Sequence, residues 1–354
     1  MSETKYYDGT KLLSMKDLNG DKPEIFICTS NRTAGKTTYF ARMLMNRFLK
    51  KGEKFCLVYR FDYELGGVDG KFFKDIGELF FQEYIMRTQP RAKGKYSELY
   101  LCDKFNEEDP GVNCGYAVTL NSADVIKRYS HMFSDVGSMW LDEFQSDTNK
   151  YCDSEIEKLI SIHTSIARGQ GKQVRFVPLY LTGNPVTLLN PYYVELGIAE
   201  RLKTDTKFLK GVGFVLEQGY NKSAEQAQKE SGFNRAFYQN KYIGFSAEGV
   251  YLNDSTAFIE KPTGVSRYIC TLKYLGKEYA LREYQEHGFI YCDNKPDTSF
   301  PTKLAVTTSD HNVNYVMLKA NRRLLEVMRY FFNKGAFRFK NLQCKEVVLK
   351  ALSY

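Results

Sequence analysis

The sequence has no long apolar run, few histidines and no closely paired cysteines. No stretch approaches roughly 18 consecutive apolar residues, which argues against a transmembrane helix. The first residues carry no apolar signal core, which argues against secretion. Eight cysteines are scattered without a Cys-x-x-Cys pair, and only four histidines accompany them. The pattern predicts reduced thiols in a cytosolic protein and argues against a zinc site or a disulfide framework.

The chain does contain enough apolar material for two domains. Its 354 residues are 43% hydrophobic and 15% aromatic, which allows a sizeable core. The formal net charge is +8, and most of the excess lies in residues 317–354, where nine Lys or Arg face two Glu. A basic end of this kind fits an RNA, DNA or acidic protein partner, but it also fits a solvated helix face.

A strand, a polar loop and a helix follow one another near the amino end. Ile25–Cys28 is a short apolar run, and Lys36–Phe48 has apolar residues at helical spacing. The loop and the helix start supply the candidate nucleotide-binding residues: Ser30, Asn31, Arg32, Thr33, Ala34, Gly35, Lys36, Thr37 and Thr38. In a Walker A loop the backbone amides cradle phosphates, the lysine reaches the terminal phosphates and the hydroxyl after it ligates magnesium.

The loop departs from the usual pattern at one position. Ser30 stands where Gly-x4-Gly-Lys-Ser/Thr begins with glycine, although a small serine fits many such turns. A Gly-Lys-Thr tripeptide can also begin an ordinary surface helix. The preceding strand and the amphipathic helix favour phosphate binding.

A second motif resembles a Walker B strand. The apolar segment Gly137–Phe144 carries two adjacent carboxylates, Asp142 and Glu143. In a parallel sheet the carboxyl ends of strands face the ligand crevice, so Asp142 is predicted to hold the magnesium shell and Glu143 to polarise the attacking water. The alternative is a strand that runs into an acidic turn. The phosphate loop about a hundred residues earlier favours the chemical interpretation.

Four further residues are candidates for contact with a nucleotide. Arg60 ends a predicted strand and either faces the crevice or lies on a surface loop. Arg168 begins Arg-Gly-Gln-Gly after a predicted helix, where it can act as an arginine finger on a neighbouring molecule or simply complement the helix dipole. Thr182 and Asn184 end the predicted strand 174–184, and they can sense the γ-phosphate or form a turn.

The composition predicts three regions. We expect a P-loop ATPase domain over residues 1–212, a linker with a short helix over 213–252, and a smaller α+β domain over 253–354. The segment 87–115 is rich in Lys, Glu and Gly around a β-like piece, and is predicted to be an inserted hairpin or a lid over the nucleotide.

A colinear set of motifs resembles one known family, the genome-packaging (encapsidation) ATPases of φ29-like bacteriophages. The segments that carry the resemblance are Ser30–Thr37, Asn46–Phe55 with Tyr59-Arg60, Leu141–Phe144, Gly183–Tyr192, Phe258–Lys261 and Arg338–Asn341. The resemblance implies an α/β fold with a mostly parallel sheet, in a ring-forming P-loop ATPase of the type with an additional strand and a catalytic glutamate. It also implies ATP and Mg²⁺ as cofactors, with catalytic roles for Lys36 and Glu143 and metal ligation by Thr37 and Asp142.

The resemblance also implies contacts between subunits. Arg168 matches the trans-acting finger, and Asn184 lies in the segment that couples nucleotide state to motion. Either Lys127 or Arg128 matches a further basic residue between subunits, and the spacing leaves that choice open.

The carboxyl-terminal region resembles the family's vestigial nuclease-like domain of RNase H type, which docks at the portal. Its predicted first long strand, Arg267–Leu275, has no carboxylate to share metal ions, which disfavours cleavage. Acids elsewhere in this region include Glu260, Glu283, Asp293 and Asp310.

The function implied is ATP-driven translocation of double-stranded viral DNA into a procapsid. The implied partners are DNA, the viral portal and further copies in a ring, a pentamer by resemblance, and a small packaging RNA stays open. We expect the protein in the host cytoplasm, transiently on the procapsid, with no membrane partner. The alternatives are a terminase-like motor with an active nuclease domain and a non-hydrolysing, nucleotide-switched structural protein that binds portal or nucleic acid.

Overall fold

The computed structural model describes residues 6–147, 150–187, 190–198, 201–202, 206–236, 261–334 and 336–352. The chain divides into two units, the first comprising residues 1–186, 190–196 and 202–252, and the second residues 187–189, 197–201 and 253–354. Across the described ranges, no helix combines the length and apolar character needed to span a bilayer.

The first unit is built on one mostly parallel sheet, as predicted. Its strands are β1 (Ile25–Thr29), β2 (Lys54–Tyr59), β3 (Tyr84–Arg91), β4 (Tyr96–Asp103), β5 (Val112–Thr119), β6 (Val136–Asp142), β7 (Leu179–Gly183), β8 (Phe208–Gly211) and β9 (Phe214–Gln218). They lie in the order β3-β4-β5-β2-β6-β7-β1-β9-β8. The six strands from β5 to β9 in this order pair in parallel, while β3, β4 and β8 add antiparallel edges.

Helices follow several of these strands. They are α1 (Thr10–Ser14), α2 (Lys36–Lys51), α3 (Val68–Phe80), α4 (Ala123–Arg128), α5 (Glu155–Ile166), α6 (Pro191–Glu195), α7 (Lys222–Glu230) and α8 (Gly232–Ala236). The apolar face of α2 packs with that of α3 against the sheet, where Phe40, Phe55, Phe72 and Trp140 belong to one buried cluster. Because this core fixes α2 against the sheet, it also fixes the loop before α2.

Strand β7 lies between β1 and β6. The phosphate-loop strand and the strand with the acidic pair are therefore separated by one additional strand, as the resemblance implied. The carboxyl ends of all three parallel strands meet at one edge of the sheet. That edge is where the predicted site should lie.

Two sequence-based predictions about this unit are corrected by the structure. The segment 87–115 contains the predicted hairpin, formed by the antiparallel strands β3 and β4, but it is not a lid over a nucleotide, because these strands extend the sheet beyond β5, on the far side of β2 and β6 from β1. The predicted linker, 213–252, begins too early, because Phe214–Gln218 forms β9 and pairs with β1. Its apolar part is only Phe-Val-Leu, too short for periodicity to reveal a strand that tertiary pairing stabilises.

The second unit has a mixed sheet. Its elements are β10 (Arg267–Tyr274), β11 (Lys277–Tyr284), β12 (Phe289–Asp293), β13 (Lys303–Ala305), β14 (Val316–Met317), α9 (Arg322–Asn333), β15 (Phe337–Phe339) and α10 (Leu342–Leu352). The strands β10 to β12 form an antiparallel meander, β13 and β14 continue in parallel beside β10, and β15 pairs with β12. Apart from β15, this order, third-second-first-fourth-fifth, is that of the RNase H-type fold.

The close approach of β5 to β2 gives a test of the fold. A Cβ at Gly115 would overlap the carbonyl oxygen of Phe55 on β2. We expect Gly115→Ala to lower the free energy of unfolding by about 1–3 kcal/mol, because the two strands must move apart. Denaturant unfolding measures the change.

Gly70 in α3 provides the control, because a Cβ there meets nothing within 4 Å. Gly70→Ala should leave stability unchanged or raise it by up to about 1 kcal/mol. Equal stability of the two variants would contradict the β2–β5 pairing.

Candidate nucleotide-binding site

The phosphate loop connects β1 to α2 in a conformation that its sequence explains. Gly35 precedes the first helical residue with φ +89°, a left-handed conformation that glycine adopts without strain. Ser30 is buried, does not have a positive φ, and its hydroxyl donates to the carbonyl of Asn31 at 3.2 Å. A serine therefore fits where the usual pattern has glycine.

The Lys36 ammonium is buried at the edge of the sheet. Only 7% of this residue is exposed, and its Nζ donates to Asn184 Oδ1 at 2.7 Å and to the carbonyl of Ser30 at 3.5 Å. Burial lowers the pKa of Lys36, while the carboxylate of Asp142 opposes that shift. The Lys36 ammonium and the backbone amides of the loop are donors of the kind that bind phosphate oxygens.

Thr37 and Asp142 meet across the two motifs. The hydroxyl of Thr37 donates to Asp142 Oδ2 at 2.9 Å. A hydroxyl and a carboxylate oxygen are hard ligands of the kind that Mg²⁺ takes beside phosphate oxygens. The residues present therefore fit the predicted metal site.

Thr182 on β7 orients the acid of this pair. Its hydroxyl donates to Asp142 Oδ1 and accepts from the indole Nε1 of Trp140 at 2.8 Å. The residue is buried, so it supports Asp142 from behind. Of the two polar residues at this strand end, Asn184 contacts Lys36 directly and Thr182 acts on the carboxylate.

Glu143 lies immediately after β6 with its side chain exposed. The surrounding protein still desolvates its carboxyl enough to raise the pKa, and the nearby carboxylates of Asp142 and Asp147 raise it further. A raised pKa makes this carboxylate a stronger base than an ordinary glutamate.

The segment after β9 holds the outer side of the phosphate loop. The side-chain amide of Asn31 exchanges two hydrogen bonds of 3.0 Å with the backbone of Asn221, which caps α7. Gln228 on α7 donates to the carbonyl of Arg32 at 3.1 Å and to the hydroxyl of Thr33 at 3.0 Å. No local pattern in the sequence indicates these contacts, because they join residues almost 200 positions apart.

The two arginines singled out from the sequence, Arg60 and Arg168, lie in different surroundings. Arg60 is buried against Glu155, so it neither faces the crevice nor lies on a surface loop. Arg168 is exposed on the turn that follows α5. Arg175, at the end of that turn, donates to the carbonyl of Val136, the first residue of β6. The length of β6, about 20 Å, separates that residue from Asp142. Arg168 therefore lies toward the opposite edge of the sheet from its own phosphate loop.

The two basic residues proposed between subunits, Lys127 and Arg128, are both exposed at the end of α4. They lie in the last turn, where positive charge also complements the helix dipole. Their roles, like those of the other site residues, stay predictions.

Comparison with known proteins places this geometry in a family. The family model for the podovirus DNA encapsidation protein (Gp16) matches residues 1–353. The DNA packaging protein of Bacillus phage phi29 is 25% identical over 346 residues, which cover 96% of this chain and 95% of that protein.

Solved structures share the fold over nearly the whole chain. The bacteriophage phi-29 genome packaging motor assembly contains a chain with a TM-score of 0.57 at 22% identity, covering 98% of this chain and 100% of that one. The phi-28 gp11 DNA packaging motor gives a TM-score of 0.59 at 14% identity, covering 99% and 98%. These likenesses confirm the predicted two-part α/β fold.

The contacts of α7 predict an effect on nucleotide affinity. Gln228→Ala removes two hydrogen bonds to the phosphate loop, each with a net value of about 0.5–1.5 kcal/mol. We expect the Kd for an ATP analogue to rise roughly tenfold, because the looser loop must be ordered on binding. Isothermal titration calorimetry measures it.

Gln226 on the same helix is the matched control, since its side chain is exposed and bonds only to Glu230 among the contacts described. Gln226→Ala should bind as the unsubstituted protein does. An equal loss of affinity in both variants would show that α7 does not order the loop.

Proposed function

This chain belongs to the podovirus DNA encapsidation protein (Gp16) family, and from that membership we propose that it is an ATPase that drives double-stranded viral DNA into a procapsid. The proposal extends to hydrolysis by this chain and to Mg²⁺ as its metal. It accords with the DNA packaging protein of phage phi29, a relative along almost the whole chain.

One observation carries the catalytic part of the proposal. Residues about a hundred positions apart, Thr37 and Asp142, are in hydrogen-bond contact, with the Lys36 ammonium and the Glu143 carboxylate at the same sheet edge. A phosphate chain bound between Lys36 and Glu143 would have the lysine ammonium on one side and, on the other, a carboxylate that can take a proton from the attacking water. If Asp142 and Glu143 were only an acidic turn and Lys36 and Thr37 only the start of a surface helix, the two segments would have no reason to meet.

The proposed mechanism assigns each residue a step. Loop amides and Lys36 bind and orient the terminal phosphates of ATP, and Glu143 accepts a proton from the attacking water. Thr37 and Asp142 would hold Mg²⁺, which when bound neutralises charge on the transferring phosphoryl group. Asn184, through its contact with Lys36, is positioned to respond to occupancy of the phosphate site.

We further propose a homo-oligomeric ring, a pentamer by family resemblance, that acts on the viral portal in the host cytoplasm, with an RNA adaptor as a further candidate partner. The position of Arg168 supports a role in trans, because its turn lies toward the sheet edge opposite its own phosphate loop. The packaging motor assembly of phi-29 shares the fold. Basic residues that grip DNA through its phosphates would make translocation independent of sequence and sensitive to salt.

A nuclease activity of the second unit has less support. Strand β10 carries no carboxylate, Asp293 pairs with Arg282 at 2.9 Å, and Asp310 accepts from the turn amides of Leu275 and Gly276. Glu260 lies outside the described residues. Within the described ranges, no group of three or more His, Cys, Asp or Glu side chains could hold a metal ion.

Hydrolysis stimulated by DNA tests the function. We expect double-stranded DNA to raise ATP turnover, and Glu143→Gln to lower kcat by at least about 100-fold because the base is lost while nucleotide binding remains. A phosphate-release assay measures turnover, and filter binding measures nucleotide affinity.

Plasmid incubated with the protein and Mn²⁺ provides the parallel control, and we expect it to stay intact. Cut plasmid would favour the terminase-like alternative. Negligible turnover with DNA present would favour the nucleotide-switched structural protein.

The raised pKa of Glu143 predicts the pH dependence of hydrolysis. The base must be ionised, so kcat should begin to fall at a higher pH than the usual Glu pKa of about 4.3 allows. Asp147→Asn removes a like charge and should move this acidic limb to lower pH. Stopped assays from pH 5 to 8 measure the limb, and an unmoved limb in the variant would exclude Glu143 as the titrating base.

A further inference from the structure

The residue proposed to activate water has an uncommon backbone conformation. Glu143 has φ +53°, in the left-handed region that few non-glycine residues occupy. Such a conformation persists only where neighbouring contacts hold it. The direction in which the Glu143 side chain leaves the backbone therefore depends on the contacts that hold this short stretch.

Arg60 supplies those contacts from the end of β2. Its Nη1 donates to the carbonyl of Glu143 at 2.9 Å, and its Nη2 donates to the carbonyl of Phe144. The two carbonyls are consecutive, so the planar guanidinium fork restrains the peptide that joins them. A single point charge could not hold both with the same geometry.

The guanidinium is itself fixed by buried groups. Its Nε donates to both carboxylate oxygens of Glu155, at 2.9 and 3.1 Å, and its Cζ lies 5.0 Å from the ring centroid of Tyr151. Glu155 also accepts from the Tyr192 hydroxyl at 2.6 Å and from the amide of Cys152 at 2.8 Å. These partners satisfy the charge and the donors of Arg60, which explains how the arginine can be buried without contacting a phosphate.

We infer that Arg60, anchored by Glu155, is a positioning residue that holds the backbone of Glu143 in the conformation needed for water activation. The inference rests on the proposed function, because it assigns Glu143 the role of base. Since Arg60 does not line the phosphate loop, its effect should fall on turnover and not on nucleotide affinity.

The test compares Arg60→Lys with a matched variant in the second unit. Lysine keeps a positive charge beside Glu155 but loses the fork. Arg282 makes contacts of the same three kinds, with the carboxylate of Asp293 at 2.9 Å, one carbonyl, that of Lys295, at 2.7 Å, and the ring centroid of Tyr268 4.8 Å from its Cζ. Arg282→Lys therefore removes a comparable guanidinium fork far in sequence from the candidate site, and thermal unfolding checks that both variants fold.

We expect Arg60→Lys to lower the basal kcat about 100-fold and to change the Kd for an ATP analogue less than about threefold. Arg282→Lys should leave the basal kcat within about twofold. In a Glu143→Gln background, Arg60→Lys should cause no further loss of the residual turnover, because both changes remove the same step. Two results would overturn the inference. One is a further 100-fold fall of kcat when Arg60→Lys is added to Glu143→Gln, and the other is a rise in the Kd for the ATP analogue as large as the fall in kcat.

A readout without turnover separates this inference from the proposed function. The Phe144 amide donates to the carbonyl of Thr182 at 3.1 Å, and its hydrogen exchange reports how firmly the stretch is held. We expect faster exchange of this amide in Arg60→Lys than in Arg282→Lys, and equal rates would overturn the inference. Absent turnover in the unsubstituted protein would contradict the proposed function alone, and the exchange rates would still decide on Arg60.

Discussion

The hydrogen bond between Thr37 and Asp142 is the contact on which the account of this molecule depends. It joins the first helical turn after β1 to the last residue of β6 across the additional strand β7. No local sequence preference brings these residues together. Only a parallel sheet that aligns the carboxyl ends of its strands does so, and the buried packing of α2 on that sheet sets the distance.

The strand between the two motifs contributes more than spacing. Its Thr182 donates to Asp142, and Asn184 just beyond it contacts Lys36, so one short segment touches both halves of the candidate phosphate site. Tyr192, further along the same chain segment, reaches Glu155 and thereby the arginine behind Glu143. The backbone of Glu143 and α6 are therefore joined by a continuous set of hydrogen bonds through Arg60 and Glu155.

The sequence predicted those parts of the site that depend on local pattern. The strand, loop and helix around Lys36 follow one another directly, and the acidic pair ends a recognisable apolar run, so their chemistry could be expected before their contact was known. The prediction failed where long-range pairing decides. The burial of Arg60 depends on Glu155, 95 positions away, and β9 depends on an open edge of β1.

The supporting side of the phosphate loop was invisible for the same reason. Asn31 and Asn221 are ordinary polar residues in their own segments, and only the fold makes them partners. Ser30 shows the converse case, in which the fold accommodates a departure from the motif because the backbone there does not need a left-handed conformation.

The central claim is that one triphosphate lies between Lys36 and the acidic pair. Particle imaging of the protein with a non-hydrolysable ATP analogue tests it most directly. The account predicts the terminal phosphate within about 3.2 Å of the Lys36 ammonium, facing Glu143, with Arg168 of a neighbouring subunit approaching it. An analogue bound with its phosphates away from Lys36, or with Asp142 and Glu143 facing another part of the sheet, would contradict it.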